Sequence, residues 1–159
     1  MKKMLCLLLC LLLPCIALAE DAPFGPYDIT APEGVMLLDN EGSFTFVQGE
    51  TRVVAIGMAR VPEDNPAEAL IRLMGQFEPG AVIGEDVPLA EGFSGLSAVT
   101  PDRFGEGVDL YTCMVLSAQG DLLILSGYDM SGAGENALAL LETVLACVTA
   151  DGASILPEE

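Results

Sequence analysis

The chain has 159 residues, carries 24 Asp and Glu against 6 Lys and Arg for a formal net charge of −18, and contains no His. A surface of that sign repels phosphate backbones and anionic headgroups, which sets aside nucleic-acid binding and electrostatic docking on a membrane. Without His there is no Ser-His or Cys-His catalysis and no imidazole metal ligand.

Residues 1–19 read as a secretory signal peptide. Lys2 and Lys3 form the charged n-region, Leu5 to Leu13 the apolar core, and Ala17-Leu18-Ala19 the small-x-small site before Glu20. The apolar stretch from Met4 to Ala19 is broken by Pro14 and falls short of the ~20 residues a spanning helix needs. Cleavage after Ala19, giving an exported chain, is the expectation. Anchoring through a lipidated Cys15 is the alternative, with Leu12 three residues ahead of it but Pro14 where a small residue is usual. Beyond the leader 24 acids face four Arg, a net of −20, and no Lys remains for a Schiff base, a Ser-Lys dyad or a phosphate-binding loop.

Residues 20–153 read as one domain, long enough to bury a core without a metal or disulfide framework. After a Pro-marked extended entry at 22–26, Tyr27 to Thr30, Val35 to Leu38, Ser43 to Val47 and Thr51 to Val61 alternate or run apolar between Gly-containing turns, as a β-meander does. The period then changes. Asn65 as N-cap, Pro66 at the first helical position and Glu68 closing an Asn-x-x-Glu capping box open an amphipathic helix. Its Leu70, Leu73, Met74 and Phe77 share one face, and Pro79-Gly80 ends it.

Val82 to Leu89 and Ser94 to Thr100 read as further strands, followed by the stronger Val108 to Ser117 and Leu122 to Tyr128 with a tight turn at Gln119-Gly120. A two-residue loop there would set Val115 opposite Ile124 and Met114 opposite Leu125. Both faces of the hairpin are then apolar, so both must be covered. Glu135 to Val148 supplies a helix with Leu138, Leu141, Leu145 and Val148 as its stripe and Asp151-Gly152 as its stop. Residues 154–159 read as a loose acidic tail. Strands joined by hairpin-length links around two main helices predict an α+β domain with an antiparallel sheet.

The opening Tyr27-Asp28-Ile29-Thr30-Ala31-Pro32-Glu33-Gly34-Val35, the long strand Arg52 to Val61 running into a capped helix, Gly95 opening a strand, the hairpin Leu110 to Tyr128 and the closing segment Leu141 to Val148 carry a resemblance. With Val35 where an aromatic residue is common, the chain resembles the PsbP/DcrB-like family, whose fold is shared with a eukaryotic Ran-binding protein. The resemblance implies an antiparallel sheet sandwiched by helices and a non-catalytic binding or accessory role. It carries over no functional residue, because the members share no catalytic set.

The chemistry-bearing residues point the same way. Cys113 and Cys147, the pair outside the leader, allow two readings: a disulfide closing a loop of about 35 residues, worth roughly 3–4 kcal/mol, or two buried free thiols. A carboxylate-pair hydrolase needs two placed acids, and Glu85-Asp86 and the group Asp102, Glu106, Asp109 are merely the densest. The loop Thr100 to Asp109 is the best calcium candidate, yet it lacks the EF-hand pattern and contains Arg103. Gly92-Phe93-Ser94-Gly95 fails as a nucleophile elbow, since Leu96 stands where glycine is required. The expectation is an exported, envelope-associated protein with no enzymatic activity that binds an unknown protein or small ligand. No catalytic, cofactor or metal site is nominated, and a calcium-dependent structural or adhesive module is the alternative.

Overall fold

The computed structural model describes residues 21–39, 43–61 and 66–157. The leader with its cleavage site and Cys15, and Asn65 of the capping box, lie outside the described residues.

The meander and the later hairpins join one seven-stranded sheet. Its strands are β3 (Met36–Asp39), β4 (Ser43–Gln48), β5 (Arg52–Arg60), β6 (Val82–Asp86), β7 (Phe93–Thr100), β8 (Leu110–Ser117) and β9 (Asp121–Asp129). They lie in the order β3-β4-β5-β9-β8-β7-β6, and every neighbouring pair is antiparallel. Among the described residues the two helices are α1 (Pro66–Phe77) and α2 (Gly134–Leu145). Apolar runs on β8 and β9 divide between two cores, as a period of two requires. Cys113, Val115, Leu123 and Leu125 pack with Leu140, Leu141, Val144 and Leu145 of α2. Met114, Leu116 and Leu122 pack with Ala69, Leu70 and Met74 of α1.

A second sheet was not expected. The strands β1 (Asp21–Phe24), β2 (Tyr27–Thr30), β10 (Val148–Ala150) and β11 (Ala153–Ser154) form a four-stranded antiparallel sheet in that order. Tyr27, Ile29, Val148 and Ile155 share the core of α2. Cover on that face therefore comes from a helix and a sheet together. On the other face α1 packs on β7 and β8, while Thr45, Val53 and Ala55 of β4 and β5 stay half-buried. The architecture is α+β with two helices and antiparallel sheets, and the expectation of helices alone covering both faces gives way to this shared arrangement.

Four further expectations are corrected. The β8–β9 loop holds three residues, Ala118 to Gly120, closed by the Gly120 N–H donating to the Ser117 carbonyl at 3.0 Å. Val115 therefore faces Leu123 and Met114 faces Ile124, one step from the two-residue register. The last helix stops at Leu145, and its buried face is Ala137, Leu140, Leu141, Val144 and Leu145, with Leu138 40% exposed. Val148 is buried as expected, but from a strand. Asp151-Gly152, read as a helix stop, is the two-residue turn between β10 and β11, with φ of 52° and 77°. Positive φ at both centres is what such a hairpin turn demands, and Asp-Gly supplies it. The tail is packed where it is described: Ile155 is fully buried and its carbonyl accepts the Ala90 N–H at 2.8 Å.

Candidate functional site

The position of α2 leaves an opening on the surface of the sheet. The helix packs on β9, β5 and β8, so the sheet continues past its flank into β7 and β6. The strip left between helix and sheet edge is an open cleft of about 450 Å³. Its floor comes from alternate residues of two paired strands, Ser97 and Val99 of β7 against Cys113 and Tyr111 of β8. Leu138, Leu141 and Leu145 form the helical wall, spaced so that they fall along one flank. The opposite wall is the segment 84–88, where the chain leaves β6 after Asp86 rather than running on to Leu89. Pro88 has no N–H to continue the ladder. The Tyr111 hydroxyl occupies the space a side chain at Gly134, the first residue of α2, would need.

The cleft is apolar inside and acidic at its margin. Exposed Glu85 and Asp86 line one rim and Glu142, one turn beyond Leu138, lines the other. The Cys113 thiol in the floor is pushed up to about 12 by burial, which favours its protonated form at neutral pH. Apolar lining with few polar groups at the edge is the ordinary construction of a binding cleft.

Known proteins place the fold. No family model matches the chain, and no curated protein matches it. Among solved structures it is similar to the solution structure of cyanobacterial PsbP (CyanoP) from Synechocystis sp. PCC 6803, with a TM-score of 0.53 and 13% identity over 86% of this chain and 95% of that one. The fold is PsbP-like. At that identity the likeness extends to architecture alone, and the residues of the cleft have to be judged by their own chemistry.

On this PsbP-like frame the acidic residues singled out in the sequence are scattered. Glu85 and Asp86 stand at the cleft rim. Asp102 and Asp109 belong to the β7–β8 loop, where they serve the loop itself: Asp109 Oδ1 accepts the Asp102 N–H at 2.9 Å, and Asp102 Oδ1 accepts the Gly107 N–H at 2.8 Å. Arg103 latches this loop to the end of α1, its Nε donating to Glu78 Oε2 at 2.8 Å. The Phe104 ring meets Tyr128 of β9 at 4.7 Å. The Asp102 and Asp109 carboxylates each spend one oxygen on a backbone N–H. No cluster of three or more Cys, Asp or Glu side chains able to hold a metal ion occurs among the described residues.

Cys113 and Cys147 are free thiols, the first buried in β8 and the second half-buried after α2. Ser94 lines a second cleft of about 230 Å³ on the α1 side, and Leu96, two residues on, is buried in the α1 core. No helix among the described residues is long and apolar enough to cross a membrane. The sequence singles out Glu85, Asp86 and Cys113 but does not bring them to one cleft. Leu138 was placed on the core stripe, and its half-exposure beside Glu142 was the available signal only once the true helix face was known.

Proposed function

We propose that this chain is an exported, non-catalytic binding or accessory protein of the cell envelope, of the PsbP/DcrB-like kind, whose ligand or partner sits in the cleft between α2 and β6–β7. The observation that carries the reading is that cleft: an apolar floor with a protonated thiol and its carboxylates on the rim. Such a site buries apolar surface well and has no base or nucleophile poised over a reacting atom. The leader pattern of residues 1–19 supports export, and the chain's lack of His supports a role without acid–base turnover.

The test has three parts. N-terminal sequencing of the protein recovered from the envelope or medium should give Glu20; a cytoplasmic product that keeps residues 1–19 would sink export. The neutral apolar dye Nile red should bind the native protein, and Leu138→Asp, at a 40% exposed position, should abolish that binding without lowering the melting temperature appreciably. Multiple-turnover hydrolysis of an envelope polymer, lost on changing one carboxylate, would replace the binding reading with an enzymatic one.

A further inference from the structure

The cleft borders an unpaired strand. β6 ends the seven-stranded sheet, all five of its residues are exposed, and its outer row of backbone N–H and C=O groups has no strand partner among the described residues. The α2-side cleft opens on one face of this edge. The second cleft, between Leu70 and Ile71 of α1 and Phe93 of β7, opens on the other. Asp86 and Val87 line both. Side chains of a strand point alternately to opposite faces, so a strand laid along β6 would, beside Asp86 where the two clefts meet, send neighbouring side chains one into each cleft.

Charge selects among strands. Glu85 and Asp86 are exposed at this edge and Glu142 faces them from the α2 rim of the cleft, and none of them has an ion-pair partner among the described residues. A second copy of the chain would bring the same carboxylates and a net charge of −18 to the contact, so self-pairing is opposed. The ladder is also irregular between Ile83 and Asp86, where the Ser97 hydroxyl donates to the Glu85 carbonyl at 2.8 Å. Bulges and edge charges keep an exposed edge from pairing indiscriminately. Here they admit a short segment of opposite charge.

We propose that the β6 edge is a strand-addition site for a basic peptide segment of another protein. Its backbone pairs with the free side of β6, neighbouring apolar side chains at its centre enter one cleft each beside Asp86, and its flanking Lys or Arg residues meet Glu85, Asp86 and Glu142. Main-chain bonds supply affinity and alternate pockets supply selectivity, as in other strand additions. The proposal rests on the binding reading above and specifies its partner.

The probe is the blocked peptide acetyl-KKVLVIKK-amide, followed by amide chemical shifts and hydrogen exchange on the isotope-labelled protein. Saturable binding should shift and protect amides of Val82–Asp86 and shift residues of both clefts. A peptide N-methylated on alternate amides should lose binding. The folded double variant Glu85→Lys with Asp86→Lys should bind at least about tenfold more weakly, a difference that shrinks as salt rises. Equal binding of the N-methylated peptide, or of the acidic EEVLVIEE, would overturn the proposal. So would absence of peptide binding while Nile red still occupies the cleft, an outcome that leaves the binding function standing. If neither probe binds, both fall.

Discussion

Asp129 shows how a buried charge is held in this fold. It is 2% exposed at the end of β9, where its Oδ1 accepts the Ser131 N–H at 2.8 Å, its Oδ2 accepts the Asn136 side-chain amide at 3.3 Å, and Arg52 Nε lies 3.6 Å away. The residue thereby ties the end of β9 to the first turn of α2, which has no side-chain N-cap at Ala133. Burial works against its ionisation, but hydrogen bonds from Ser131, Thr51 and Asn136 outweigh burial and hold the carboxyl below the usual carboxylate range. A folded pKa below the unfolded value stabilises above the unfolded pKa of about 4, and that contribution is lost as pH falls through the folded value. Asp129→Asn should therefore lower stability near neutral pH by about 1–3 kcal/mol. The gap between variant and parent should narrow in melts taken progressively below about pH 4; a gap constant with pH would show that packing rather than charge is responsible. Tyr27 makes a comparable link without charge. Burial, helped by the Asp121 carboxylate, pushes its phenol up to about 12, and its hydroxyl donates to the Asp121 carbonyl at 2.9 Å, joining the second sheet to the β8–β9 hairpin.

At the scale of elements, two exposed glycines give opposite expectations. Gly152 has a φ of 77° and nothing within 4 Å of an added Cβ, so Gly152→Ala tests backbone conformation alone and should cost about 1–2 kcal/mol in a denaturant melt. Gly75, exposed inside α1 and equally unhindered, should respond to Gly75→Ala with a gain of about 0.5–1 kcal/mol. Failure of the two to differ in sign would deny the turn its role. The same turn shows why some elements were legible in the sequence and others were not. Residues 113–116 are apolar throughout and all buried, so a hairpin covered on both faces could be read from them directly. The helix over residues 66–77 was equally plain from its Pro start and spacing. Val148, by contrast, falls at helical spacing from Leu141 and Leu145, and Asp-Gly suits either a helix stop or a hairpin, so the pattern carries the helix to Val148 and starts the tail at Ser154, hiding β10 and β11. Only the pairing of Val148 with Ile29 decides between them, and that is a contact between distant parts of the chain. The cleft is hidden for a related reason: it exists because α2 stops short of β7, and no local pattern records where a helix lies across a sheet.

For the molecule as a whole, the net charge of −18 acts as a diffuse strain on the folded state. Added salt should raise the melting temperature between about 0.01 and 0.3 M by screening that repulsion. Calcium and magnesium at equal ionic strength should act alike, because Asp102 and Asp109 are already engaged by backbone N–H groups; a shift specific to calcium at millimolar concentration would reveal a bound ion through mass action. The second sheet has a different kind of consequence. It pairs β2, near the start of the described chain, with β10, near its end, and Ile155 completes the core beneath it. Loop closure over nearly the whole sequence must precede that pairing, which makes it slow. A growing polypeptide cannot complete this core until Ile155 has been synthesised, so β2 must wait unpaired with β10 while the whole seven-stranded sheet is made between them.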